Sequence, residues 1–229
     1  RADPRLTAAR FAADAPAERG AQRRGALEGL MGVKGSREES VFARLPETGA
    51  LAGDIQHLFG DDTVILEGAD AGEKRVKNED LSRYRTLIFA THGILDSDVP
   101  YIREPALVLG QLGNGTEEDG FLGASEVMNL SLNAETVALT ACKTGLGRQL
   151  SGEGVMGLGR AFQYAGAKNV LVSLWSVAEK STTRYTAEYF SALKDGKTQR
   201  EAAKAARAKI RADGYDDPFY WAPFIVMGH

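Results

Sequence analysis

Short, unbroken apolar runs alternate along this chain with longer stretches in which apolar residues recur at helical spacing. The runs lie at Thr63–Leu66, at RTLIFATHG ending on His92 and Gly93, at Ala106–Leu109, Thr136–Thr140, Lys168–Leu174 and Trp221–Met227, and each predicts a strand. Runs without a polar alternate are strands buried on both faces, the habit of parallel sheets. Helical spacing predicts helices over Ala50–Phe59, ended by Gly60, and over Val155–Ala165, Thr182–Leu193 and Thr198–Ala212. The last two close on Asp195-Gly196 and Asp213-Gly214. Shorter helices are expected from about Asn78 to Tyr84 and from Gly123 to Met128, with Ser125 as a candidate cap. Pro46–Gly49 reads as a turn, Gly110–Gly120 as a loop, and Leu30–Val33 as a candidate first strand crowded by glycines. Pro223 places the last strand at an edge. Strands alternating with helices at this spacing predict an α/β fold, a mostly parallel central sheet with helices on both faces.

Composition narrows the picture. At 229 residues, 43% of them hydrophobic, the chain suits one large α/β domain with an appendage. Residues 1–40, rich in Ala and Arg, read as a helical linker or N-terminal arm from a longer protein, broken at Pro16; residues 41–229 read as the domain. Residues 1–37 hold eight Lys or Arg against four Asp or Glu, so the basic excess sits in the arm of a chain whose formal charge is −3. Such a split fits a solvated helical arm or a docking surface for an acidic partner, and the acidic remainder speaks against nucleic acid as a direct partner. No apolar run approaches the roughly 18 residues of a membrane span. A single cysteine excludes an internal disulfide framework and suits a reducing, cytoplasmic setting. Three scattered histidines, His57, His92 and His229, offer no metal site, and no cofactor is expected. His57 falls inside a predicted helix, in a structural role.

Candidate chemistry gathers at two strand ends. The run ETVALTACKTG carries the only cysteine, Cys142, where a strand gives way to turn residues; RTLIFATHG delivers His92 in the same manner. A lone cysteine after a strand is ordinarily one more small buried hydrophobe. Two parallel strands that release a thiol and an imidazole at one carboxyl edge instead fit a nucleophile and its base, because open α/β sheets carry their sites there. The imidazole lowers the thiol's pKa, and backbone N–H groups around Gly93 and Cys142 can hold an oxyanion. No third member is evident, so the arrangement is a dyad. Gly152, Gly154 and Gly157 spell G-x-G-x-x-G with Glu179 downstream, but Cys142 to Ser151 intervenes between the strand and these glycines, which is the wrong context for a dinucleotide fingerprint.

The pair FATHG and LTACKTG, with His92 and Cys142 50 residues apart, together with SGEGVMGLGRAFQYAGAKNVLVSLWSV and the closing WAPFIVMGH, resembles the CHAT domain, a bacterial caspase-like domain related to separase. The likeness runs from about Leu45 to His229. It implies a caspase-like three-layer fold and a cysteine endopeptidase, with His92 and Cys142 as the catalytic dyad and Gly93 at the oxyanion position. It further implies that Thr140, two residues before the cysteine, lines the S1 pocket and that Ser173, Leu174 and Trp175 form the cleft strand. Glu179 falls where the separase-like pattern has an acid. It is read either as selecting Lys or Arg at P1 or as an acid placed at a helix N-terminus by the macrodipole. Thr140-Ala141-Cys142 departs from the Gln-Ala-Cys of caspases, which puts aspartate specificity in doubt. Expected partners are a protein or peptide substrate and a helical-repeat domain or protein that activates an otherwise inactive enzyme. A catalytically silent interaction module is the alternative.

Overall fold

A computed structural model describes residues 6–8, 45–94, 103–110, 118–140, 152–175 and 178–228. The strands are β1 (Leu6–Ala8), β2 (Thr63–Ile65), β3 (Thr86–Phe89), β4 (Gly93–Ile94), β5 (Ala106–Val108), β6 (Phe121–Gly123), β7 (Thr136–Leu139), β8 (Asn169–Ser173) and β9 (Phe224–Gly228). The helices are α1 (Glu47–Phe59), α2 (Glu73–Asn78), α3 (Ala124–Val127), α4 (Gly152–Tyr164), α5 (Glu179–Lys194) and α6 (Gln199–Ala212).

The apolar runs form the central sheet, in the order β3-β7-β8-β9. The first three strands are parallel and β9 returns antiparallel at the edge, where Pro223 has no ladder bond to donate. Successive side chains of a strand point to opposite faces, and the two cores divide accordingly. Leu87, Phe89, Val137, Leu139, Val170 and Val172 meet Val76 of α2, Val127 of α3 and Leu158, Ala161 and Phe162 of α4. Ile88, Ala138 and Leu171 meet Leu51 and Ile55 of α1, Tyr185 and Tyr189 of α5 and Ile210 of α6. The fold is therefore the expected three layers, a mostly parallel sheet between two helical faces. A Cβ on Gly159 would meet the Met227 side chain, so the glycine lets α4 lie close against the sheet. Gly166, at φ +116°, turns the chain from α4 into β8 with the Leu132 carbonyl against its Cα, a position no Cβ could share.

Two smaller sheets flank the centre. β1 pairs parallel with β2, and β4, β5 and β6 form an antiparallel sheet inserted between β3 and β7.

Several expectations are corrected. Within the stretch predicted to be helical, Leu6–Ala8 is a strand, because pairing with Thr63–Ile65 overrides the propensity of an Ala-rich segment. The helix expected over Asn78–Tyr84 ends where it was to begin: α2 starts after Gly72 and stops at Asn78, followed by a 3-10 turn at Leu81–Arg83. α1 begins inside the expected Pro46–Gly49 turn, with Pro46 as its N-cap. The glycines of the G-x-G-x-x-G stretch belong to α4 and not to a strand-to-helix turn. Leu30–Val33 and residues 111–117 of the expected loop lie outside the described residues. No described helix is long and apolar enough to cross a membrane.

Candidate active site

β3 and β7 fix the arrangement. Their register is unbroken from Thr86↔Thr136 to Phe89↔Leu139, and Thr140 extends it by donating its backbone N–H to the Phe89 carbonyl at 3.1 Å. His92 stands three residues beyond Phe89 and Cys142 three beyond Leu139, so both follow adjacent parallel strands at the same step. Cys142 itself lies outside the described residues.

The chain at His92 is held by the inserted sheet. The Thr91 hydroxyl donates to the Val108 carbonyl, Val108 N–H donates to the His92 carbonyl at 2.8 Å, and Gly93 pairs with Leu107. β5 thus pins the backbone on both sides of the imidazole, and the whole His92 residue is 1% exposed. Thr140 is buried, its hydroxyl turned back toward the Phe89 carbonyl at 3.4 Å.

On the other side of β7, Ser173 ends β8. Its hydroxyl donates to the Trp175 carbonyl at 2.7 Å, and Leu174 N–H donates to the Pro223 carbonyl at 3.0 Å. The Trp175 indole N–H donates to the Phe219 carbonyl at 3.0 Å, which ties it to the 3-10 turn Pro218–Tyr220. Glu179 opens α5, and its Oε1 accepts the Glu47 backbone N–H at 2.7 Å. The parallel order puts Gly93, Thr140 and Ser173, with Trp175 two residues on, at or just past the carboxyl ends of β3, β7 and β8, while Glu179 belongs to the start of α5. His57, on α1, is exposed.

A polar cluster escaped the sequence reading. Lys77 Nζ on α2 lies 2.6 Å from Glu73 Oε1, 2.5 Å from Glu118 Oε2 and 2.6 Å from Glu126 Oε1, and Glu73 Oε2 accepts the Gly120 N–H at 2.8 Å. Burial pushes the Glu73 carboxyl up to about 7, with Glu118 and Glu126 adding to the shift and Lys77 and Gly120 opposing it. Burial works against the Lys77 charge, but the three carboxylates outweigh it and hold its pKa above the ordinary lysine value. The three carboxylates lie close enough together to suit a metal ion, but the ammonium occupies their midst. The i, i+4 spacing of Glu73 and Lys77 was the one signal available in the sequence.

Two curated proteins share a stretch of 108 residues with this chain: Tetratricopeptide repeat protein 28 of Mus musculus, 30% identical, and of Homo sapiens, 31% identical. The stretch covers 47% of this chain and only 4% of each relative. The resemblance implied a bacterial setting; these relatives are mammalian. Among solved structures, the Arg-specific cysteine proteinase gingipain R superposes with a TM-score of 0.51 at 11% identity, over 97% of this chain and 46% of that one. The Saccharomyces cerevisiae separase of a separase–securin complex aligns over 98% of this chain and 12% of its own, at 11% identity and a TM-score of 0.47. The family model described as CHAT domain matches residues 3–229, a span that includes β1 and every other described element, and the chain belongs to the CHAT domain family.

Proposed function

We propose that the domain is a cysteine endopeptidase, a hydrolase of peptide bonds in a protein substrate, with Cys142 as nucleophile and His92 as its acid–base partner. The observation that supports this reading is the register of β3 and β7, adjacent parallel strands whose paired ends, Phe89 and Leu139, come three residues before His92 and Cys142 in sequence. In the first half-reaction the thiol proton passes to the imidazole and the sulfur bonds to the scissile carbonyl carbon. The Gly93 N–H stabilises the oxyanion, the C–N bond breaks, and the imidazolium returns its proton to the leaving amine. Water, deprotonated by the same imidazole, then cleaves the thioester and restores the thiol. Thr140 lies two residues short of the nucleophile, on the side of the P1 residue, and Ser173 and Trp175 line the substrate's path. The reaction needs no metal or cofactor, and a reducing cytoplasm keeps the single thiol reactive.

The burial of His92 favours a second state of the same site. An imidazole 1% exposed does not meet substrate as it stands, so the enzyme rests inactive until a partner or upstream domain opens it. A helical-repeat segment suits that role, since the mammalian relatives are named for tetratricopeptide repeats. A domain that never opens is a silent interaction module.

Incubation with candidate protein substrates and candidate activators, beside Cys142→Ala and His92→Ala, tests the reading. Cleavage is expected to vanish in Cys142→Ala and to fall by about 10²–10⁴ in His92→Ala. Cleavage that survives both substitutions overturns the proposal. Lack of cleavage with every activator, together with no labelling of Cys142 by a thiol-directed peptide probe, assigns the module instead.

A further inference from the structure

Between Phe89 and Gly93 the chain changes sheets. Up to Phe89 it lies in the ladder of β3 with β7, and from Gly93 it pairs with β5 as β4. Ala90, Thr91 and His92 make the crossing, and all three are buried. A crossing interrupts the regular ladder, so buried polar groups along it need partners found singly. One residue supplies two of them. Val108, the last of β5, donates its N–H to the His92 carbonyl at 2.8 Å, and its carbonyl accepts the Thr91 hydroxyl. Val108 is itself firmly backed: it pairs with Phe121 of β6, and the next residue, Leu109, donates to the Gly120 carbonyl at 2.8 Å. Gly110 then donates to the Ala71 carbonyl at 2.9 Å and lies so close to the Gly68 carbonyl that a Cβ would collide with it. The Thr91 hydroxyl ties the residue before the imidazole to this braced strand. Threonine suits the task, because branching at Cβ restricts χ1 and so fixes where the hydroxyl points.

We propose that Thr91 is a positioning residue for His92: its hydroxyl, fastened to Val108, holds the backbone that carries the imidazole at the point where the chain passes from one sheet to the other. It acts through its neighbour and not on substrate. A general base must stand within hydrogen-bond reach of the proton it takes, so a small displacement of the backbone beneath it is felt in the rate. The inference rests on the protease reading for its effect on turnover, while the hold on the backbone at His92 is measurable without it.

Two variants divide the side chain. Thr91→Val keeps the shape and removes the hydroxyl, and Thr91→Ser keeps the hydroxyl and removes the methyl. On the activated enzyme, Thr91→Val is expected to lower kcat about tenfold with KM held within about twofold, while Thr91→Ser stays within about twofold on both. The acid limb of the kcat/KM profile is expected to move to higher pH in Thr91→Val, because a thiol less closely met by the imidazole ionises later, and to keep its place in Thr91→Ser. Amide hydrogen exchange at Val108, whose N–H goes to the His92 carbonyl, is expected to quicken in Thr91→Val and stay slow in Thr91→Ser. A loss of equal size in both variants overturns the proposal, since the packing of the side chain and not its hydroxyl would then be at work. So does a loss confined to KM. Unchanged exchange at Val108 in Thr91→Val overturns it as well. If the wild-type chain cleaves nothing with any activator, the protease reading falls separately, and the exchange at Val108 still decides whether Thr91 holds the backbone at His92. Should Thr91→Val fail to fold, Thr91→Ala with the same readouts decides.

Discussion

Glu73 shows how much a single side chain can depend on its surroundings. In sequence it is one acid among many; in the fold it is 1% exposed and shares one ammonium with two other carboxylates. Its carboxyl is raised from an ordinary 4.5 to about 7, first by burial. The folded chain therefore holds a proton that the unfolded chain releases across that window. The stabilisation is complete below about pH 4.5 and is lost as pH climbs to about 7. Thermal melts between pH 5 and pH 8 are expected to show this decline in the wild-type chain and a flatter profile in Glu73→Gln. The amide oxygen can still accept from Gly120, whereas its NH2 forfeits the contact with Lys77 and has no proton to lose. An equal slope in both chains would place the titration elsewhere. None of this was legible, because burial of a glutamate depends on Gly120 and Glu118, more than forty positions away. The position of His92 and Gly93 was legible for the opposite reason: they follow an apolar run directly, and the run itself reports where β3 ends.

Among elements, signals confined to one segment were readable and signals shared between segments were not. α6 announces itself as Thr-x-x-Glu before a periodic stretch, and the reciprocal box is present: Thr198 Oγ1 accepts the Glu201 N–H at 3.3 Å while the Glu201 carboxylate accepts the Thr198 N–H at 2.9 Å. Thr198→Ala is expected to cost about 1 kcal/mol in urea unfolding, with the slope unchanged. A loss no greater than that of an exposed Thr→Ala elsewhere would deny the box its role. The central strands were equally plain, since burial on both faces leaves no polar alternate. α2 was misplaced because it buries only Val76 and Glu73, so it carries almost no apolar period. β1 and β6 are three residues each, too short for any period, and exist by pairing with β2 and β5. The tie between Glu47 and Glu179 is hidden for the same reason: neither helix start carries a side-chain cap at its own N-cap.

For the whole molecule, the sheet separates two cores assembled from different parts of the chain. α1, α5 and α6 cover one face, while the other takes α4 and the elements around the inserted sheet. The route from β3 to β7 departs at Phe89 and rejoins at Thr136, and those two strands are hydrogen-bonded neighbours along their full length. The spacing between the exits of β3 and β7 is therefore set by the ladder and not by how far the chain wanders between them. Residues 111–117 lie inside that excursion, and a Gly/Ser peptide of about ten residues placed there is expected to change stability by only about 0.6 kcal/mol for each doubling of the connection. The same peptide placed within Thr136–Leu139 is expected to abolish cooperative unfolding, since a shift of register turns each core side chain to the wrong face. The excursion is thus a cassette with fixed terminals. Its own strands are not spare, however: β5 grips the backbone at His92, so an alteration in β5 would be felt at the imidazole even while the distance between β3 and β7 stayed put.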